Sequence, residues 1–372
     1  MKRLVLLFSI ALFCANGQFS SNATKLRGKR LCSGAAPADG QTLVFSSASN
    51  CWGPSSSSSA GSIGSLLYSL PASAAGSLVP EVHKNLAISN GATSTILSQV
   101  TGSGYIGELF IATNKYATEV IVTVDGEGTP QIDANVCDLL ADHYCDTQPA
   151  AFNYWISVSN FGAQNSGGTL RLPIFFSSSV KVEAKCNAGS TCTITSHIIA
   201  RTGVSTDLTQ WRLHLVNASV SGIAANTETN MINVSPAKPW LLAFLGWIYD
   251  GFPGNTSPRD APLEGAFKMY FDGSGTAGYA VGGSEDLFGM PWYFQNAPIF
   301  GNTIPSTMSP ASVDVSLIVK NSNTWGAQRS FVRDQISGSS GLRFTWFCGN
   351  TSAVNFTGTC SLFSNVYYYT LG

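Results

Sequence analysis

Charge is what this sequence has least of. Only 11% of its 372 residues are Asp, Glu, Lys or Arg, and the formal net charge is −1. A chain charged so sparsely has no basic surface from which to release counterions, so neither nucleic acid nor an anionic membrane is an expected partner. Histidine is scarce too, at positions 83, 143, 197 and 214, and neither a CxxC nor an HxxxH spacing occurs. No metal site is therefore expected, and no cofactor. Long apolar runs are missing beyond the N-terminus. The most apolar later stretch, PWLLAFLGWIY at 239–249, is eleven residues long, too short to span a bilayer and suited to a buried strand. Helical periodicity is missing as well: no segment keeps a 3.6-residue apolar repeat over three turns, and only ANVCDLLADHY (134–144) suits one short helix.

The N-terminus reads MKRLVLLFSIALFCANG, two basic residues, an apolar run and small residues. That is the form of a secretory signal peptide over residues 1–17, and a secreted, extracellular protein is expected. Its removal takes away Lys2, Arg3 and Cys14 and leaves a net charge near −3. The remaining eight cysteines fall into near neighbours, Cys32/Cys51, Cys137/Cys145, Cys186/Cys192 and Cys348/Cys360. Spacing alone fixes no pairing, but short loops closed in sequence order are the simplest reading for an exported chain. Six N-x-S/T sequons, at Asn22, Asn217, Asn233, Asn255, Asn350 and Asn355, point to N-glycosylation and to surface loops at those positions. A polar arm follows the signal, with RGKR at 27–30 as either a processing site or a solvated segment, and residues 46–78 are rich in Ser, Gly and Ala.

From about residue 92 the grammar is all-β. TEVIVTV (118–124), LRLPIFF (170–176), TCTITSHIIA (191–200), RLHLV (212–216), SVDVSLIVK (312–320), LRFTWFC (342–348) and NVYYYTL (365–371) are short, β-branched or aromatic, and bounded by turn residues. DGEGT at 125–129 returns as DGSGT at 272–276, each after a strand-like run, and Asp138-Leu139-Leu140 is matched at nearly the same offset by Asp286-Leu287-Phe288. The repeat predicts two tandem jelly-roll β-sandwiches behind an extended arm: signal 1–17, arm 18–50, first sandwich 51–205, second sandwich 206–372.

In LEGAFKMYFDG (263–273) alternation puts Glu264, Ala266, Lys268, Tyr270 and Asp272 on one face, and Leu263, Phe267, Met269 and Phe271 on the other. The second set faces a core. A glycine-rich return then brings Glu285, in VGGSEDLFG (281–289), back toward the same strand. Two carboxylates on one cleft are what glycoside hydrolysis needs, whereas isolated acids in β-proteins more commonly hold loop N–H groups. LEGAFKMYFDG followed by GGSEDLFGMPWYF resembles the paired signature of a double jelly-roll family, domain of unknown function 2961, whose characterised members form glycoside hydrolase family 172. GSGYIGELFI (102–111) and VTVDGEGTPQI (122–132) resemble its first-domain pattern. The resemblance implies a retaining hydrolase of fructofuranosides or arabinofuranosides, with Glu264 and Glu285 as the carboxylate pair and Asp286 beside it. Ala266 and Phe267 stand where members carry Asp-Glu, Ser284 replaces Thr and Leu287 replaces Tyr, so groups that would orient the pair are lost. Trp292 and Tyr293 are candidates for a sugar platform, or else core residues.

Two functions are therefore expected from the sequence. One is a structural extracellular protein that assembles head-to-tail with copies of itself, its arm pairing with a neighbour's open sheet edge. The other is a glycosidase with a carbohydrate substrate; a carbohydrate-binding module without turnover would need the aromatics alone.

Overall fold

The computed structural model describes residues 76–141, 154–160, 165–204, 209–250, 265–288, 324–332, 334, 336–349 and 358–372. It also gives the backbone alone for the strands at 25–26, 29–31, 42–46, 51–55, 151–152 and 315–321, for residues 159–160, 249–250 and 324–325, and for Glu285. The chain divides into two compact units, residues 1–59 and residues 60–372.

The N-terminal unit has a four-stranded sheet of its own. Strands β1 (Lys25–Leu26), β2 (Lys29–Leu31), β3 (Thr42–Ser46) and β4 (Cys51–Ser55) lie in the order β1-β2-β4-β3, with β2 and β4 parallel. The stretch expected as an extended arm thus contains paired strands, and Cys51–Ser55, assigned to the first sandwich from sequence, pairs here. Lys29 and Arg30 of the RGKR segment lie in β2, where Arg30 pairs with Lys25 of β1.

The larger unit holds two β-sandwiches in tandem. The first has a sheet built from β5 (Ser77–Ile88), β7 (Gly104–Thr113), β10 (Ala151–Phe152), β11 (Ile156–Asn160), β12 (Ser166–Leu170), β13 (Ile174–Phe176) and β15 (Cys192–Thr202). Its strand order is β10-β11-β12-β7-β15-β5, with β13 also on β7. The facing sheet runs β6-β14-β8-β9, from β6 (Thr93–Thr101), β14 (Ser179–Cys186), β8 (Thr118–Val124) and β9 (Ile132–Asn135). A single helical turn, α1 (Val136–Leu139), follows β9; Asn135 caps it by accepting the Asp138 N–H at 2.9 Å.

The second sandwich repeats this plan. One sheet runs β16-β25-β18-β22-β21, from β16 (Trp211–Ala224), β18 (Trp240–Asp250), β21 (Val315–Asn321), β22 (Thr324–Ser330) and β25 (Thr359–Leu371), with β23 (Ser337–Gly338) on β18. The other runs β17-β24-β19-β20, from β17 (Thr227–Val234), β19 (Phe267–Phe271), β20 (Tyr279–Val281) and β24 (Leu342–Cys348), and α2 (Ser284–Leu287) follows β20 as α1 follows β9. Apart from β10, the strand order corresponds, as do the helical turn and several register irregularities. A bulge where Ile199 and Ala200 face Glu108 and Ile106 returns where Tyr367 and Tyr368 face Phe244 and Leu242. Cys186–Cys192 and Cys348–Cys360 close the same hairpin in each copy, with Cα atoms 5.7 and 6.1 Å apart. Both pairings agree with the sequence reading. Cys137 is also in a disulfide, while Cys32 and Cys145 lie outside the described residues.

The two sandwiches share one buried seam. Along β18, Trp240, Leu242, Leu245 and Trp247 enter the second sandwich's core, while Leu241, Ala243, Phe244 and Ile248 join the first one's. On β25, Leu362, Val366 and Tyr368 face inward, and Tyr367 and Tyr369 face the first sandwich. Burial on both faces explains the continuous apolar run at 239–249: neither side of the strand meets water, so alternation is lost. The seam is also hydrogen-bonded. Tyr369 donates to the Pro173 carbonyl at 2.9 Å, Gln328 Nε2 to the carbonyls of Leu140 and Ala141 at 3.2 and 3.3 Å, and Tyr367 to the Leu139 carbonyl. Gly246 lies so close to Ala141 that a Cβ there would sit 2.6 Å from the alanine methyl.

Candidate functional site

The corner singled out from sequence sits where β19, β20 and α2 meet. β20 pairs antiparallel with β19, Phe267 opposite Val281, and the chain then runs past the start of β19. Ser284, fully buried, donates its hydroxyl to the Gly265 carbonyl at 2.8 Å and accepts the Trp346 indole N–H at 2.9 Å. The residues next to Glu264 and Glu285 are therefore bonded to each other, and the glycine-rich return does come back beside the strand. Glu264 itself, Trp292 and Tyr293 lie outside the described residues, and only the backbone of Glu285 is given. Asp286 is exposed, and its Oδ2 accepts the Gly283 N–H at 3.2 Å. That is a turn-capping role.

Two of the residues that depart from the family signature, Phe267 and Leu287, belong to the core. Phe267 is fully buried, with ring centroids 5.4 Å from Trp247, 5.8 Å from Phe344 and 5.9 Å from Phe288. Leu287 is equally buried. The positions where the resemblance implies an acid and a phenol are thus given over to packing. In the first copy, Cys137 occupies the place of Glu285, and Asp138 that of Asp286.

The outward face of β19 carries a polar cluster the sequence reading did not assign. Glu228 on β17 accepts from the Tyr270 hydroxyl at 2.7 Å, Thr345 Oγ1 at 2.8 Å and Lys268 Nζ at 3.1 Å. Burial raises the Glu228 pKa, but hydrogen bonds from Tyr270, Thr345 and Lys268, with the charge of Lys268, outweigh it, so the carboxyl is held below its ordinary value. Burial first, and then Glu228, push Tyr270 upward. A carboxylate held ionised by three donors has no proton to give at neutral pH, so this cluster is a structural tie across the sheet.

The repeated DG corner resolves in the same way. Asp125 and Asp272 both have φ of 54°, each followed by a glycine of positive φ, a left-handed turn that Asp tolerates and glycine adopts freely. Asp125 accepts from the backbone N–H groups of Ser177, Ser178 and Ser179 at 2.6–3.1 Å. Asp272 does the same for Ser339, Ser340 and Gly341 at 2.7–3.3 Å. Burial opposes ionisation at both, but these hydrogen bonds prevail and hold both carboxyls below the usual range, Asp125 far below. Asp125 has a further partner in the second sandwich: Arg212 at the start of β16 pairs with it, and through Nε with Glu127 at 3.2 Å. The signal for this role was in the sequence, since Asp-Gly directly after a strand is a turn that places a carboxylate against backbone N–H groups.

Two expected glycosylation sites fall on described residues. Asn217 and Asn233 are exposed, but they lie within strands β16 and β17 rather than on loops. Asn22, Asn255, Asn350 and Asn355 lie outside the described residues.

Comparison with known proteins gives residues 81–195 as a match to the family model described as GH172 first beta-sandwich domain. The first sandwich is GH172-like. The match covers about a third of the chain and falls in the first copy, whereas the motif resemblance is most specific in the second. No curated protein matches the sequence. Among solved structures, the STIV MCP is 11% identical with a TM-score of 0.42, covering 80% of this chain and 97% of its own. The major capsid protein P2 from bacteriophage PM2 is 9% identical with a TM-score of 0.40, covering 79% and 98%. PNGase F, a glycosylasparaginase from Flavobacterium meningosepticum, is 9% identical with a TM-score of 0.31, covering 79% and 96%. Likenesses of this size carry nothing about activity or assembly.

Proposed function

We propose that the chain is a secreted, N-glycosylated structural protein that assembles head-to-tail with copies of itself into an extracellular fibre or coat, using its N-terminal segment as the connector. The observation that carries this reading is the separateness of residues 1–59, which form a compact unit with its own small sheet. β1 and β3 end that sheet's strand order, and an end strand can accept or donate backbone hydrogen bonds with another copy.

The sandwich faces support a connector of this kind over simple stacking. Rows that the second sandwich buries against the first, Leu213–Tyr369–Leu241 and Leu215–Tyr367–Phe244, correspond to Leu78–Arg201–Tyr105 and Pro80–Ile199–Glu108 on the outer face of the first. Glu108 there pairs with Arg171 at 3.2 Å. Repeating the internal seam between copies would bury these charges, at a cost their pairing does not return. Negative-stain microscopy and light scattering of the secreted chain test the proposal, with assemblies expected for the full chain and monomers for residues 60–372. A full chain that stays monomeric at every concentration would sink it.

A second reading, a retaining glycosidase acting on furanosides through Glu264 and Glu285, is favoured by the GH172-like first sandwich and by the Ser284–Gly265 bond that joins the two segments. A retaining mechanism needs carboxyl groups about 5–5.5 Å apart. Release of arabinose or fructose from synthetic furanosides, abolished by Glu285→Gln, is its test.

A further inference from the structure

On the outer face of the second sandwich, Asn233, Arg343 and Tyr270 form one lateral row across β17, β24 and β19, paired in register. The Arg343 guanidinium lies over the Tyr270 ring, 3.6 Å from its centroid, and the ring is fixed in turn by its hydrogen bond to Glu228. Among the described residues no carboxylate pairs with Arg343, and the residue lines the space beside it. That space is a pocket of about 310 Å³, lined among others by Asn233, Ser235, Tyr270, Arg343 and the Gly273–Gly275 turn. The turn projects only the Ser274 side chain, which leaves the pocket open beneath the strand ends.

Asn233-Val234-Ser235 is a sequon, Asn233 is exposed on an edge strand, and both its Asn and its Ser line the pocket. We propose that the pocket is the seat of the first sugars of an N-glycan carried on Asn233, a deepening that rests on the glycosylated reading above. The acetamide carbonyl and hydroxyls of the attached N-acetylglucosamine are acceptors, and Arg343, directly opposite Asn233 in the row, supplies donors. The volume is at the small end of the range of about 300–1,000 Å³ typical of ligand pockets, enough for the first sugars but not for a branched glycan. The covalent link holds those sugars at high local concentration, so weak contacts suffice to seat them.

Asn217 supplies the internal control. It is also exposed and in a sequon, but it faces Asn365, whose Nδ2 donates to its Oδ1 at 2.9 Å. The test is site-resolved mass spectrometry of the secreted full chain during digestion with a peptide-N-glycosidase. In the native protein the Asn233 glycan is expected to be released at least about tenfold more slowly than that on Asn217, as a hydrogen bond to a charged group would give. The difference should vanish after denaturation, and Arg343→Ala should bring the native rates together. Equal native rates in the unaltered protein overturn the proposal, whether or not the variant is secreted. So does an unoccupied Asn233 beside an occupied Asn217, which would leave the broader glycosylated reading standing. No occupied sequon anywhere would defeat both.

Discussion

At the scale of the residue, two aspartates in equivalent turns differ in their charged partner. Asp125 and Asp272 each hold three backbone N–H groups of a neighbouring loop, but only Asp125 is paired with an arginine, Arg212. Removing Asp125 leaves the largely buried Arg212 with only the more exposed Glu127 as a counter-charge, so Asp125→Asn should cost about 3 kcal/mol, the low end for breaking a buried pair. The exposed Asp272, screened by water, should cost about 1 kcal/mol on the same change. Denaturant unfolding of the two variants checks the order, and equal losses would remove Arg212 from the account. Both aspartates are depressed from an ordinary value of 3.8. Their stabilisation is therefore complete above about pH 4 and is lost as pH falls toward their folded-state values, where each carboxylate takes up a proton. Acid titration of the Asp125→Asn variant should accordingly show a shallower loss of stability below pH 4 than the unaltered chain.

At the scale of the element, the duplication decides what is shared. The same hairpin is closed by a disulfide in both copies, across separations of 6 and 12 residues. The chain-entropy argument gives about 2 kcal/mol for the shorter loop and about 3 kcal/mol for the longer. Replacing Cys348 and Cys360 by serine should thus lower stability more than replacing Cys186 and Cys192, as read from denaturation midpoints. Much of this level was legible in the sequence. The recurrence of DGEGT as DGSGT located corresponding turns, the simplest reading of the cysteines as short loops closed in sequence order matches Cys186–Cys192 and Cys348–Cys360, and alternation in FKMYF put Phe267 and Met269 in the core. Strands buried on both faces, such as β18, were legible only as apolar runs, because period-two alternation needs one wet side. The polar tie around Glu228 was hidden for a different reason. Its three donors lie 40 to 117 residues from Glu228 in sequence, and only strand pairing brings them to it.

At the scale of the whole molecule, the question is whether the two sandwiches behave as one body. Tyr367, Tyr369, Phe244 and Leu241 belong to the second sandwich's sheet yet lie in the first one's core. Unfolding either sandwich alone would expose that shared layer and strand the Asp125–Arg212 pair. Residues 60–372 should therefore melt in a single calorimetric transition, with van't Hoff and calorimetric enthalpies in agreement. Gly246 is the place to break this coupling. A Cβ there meets the Ala141 methyl at 2.6 Å and its carbonyl oxygen at 2.8 Å, so Gly246→Val must push α1 away from β18 or distort the strand, at a cost of about 1–3 kcal/mol. Because the clash lies where the second sandwich's β18 meets the end of the first sandwich's helical turn, the loss should appear as a separation of the two melts rather than as a uniform downward shift. A single transition that merely moves to lower temperature would mean that the Asp125–Arg212 corner and the tyrosine hydroxyls hold the sandwiches together without close approach at Gly246.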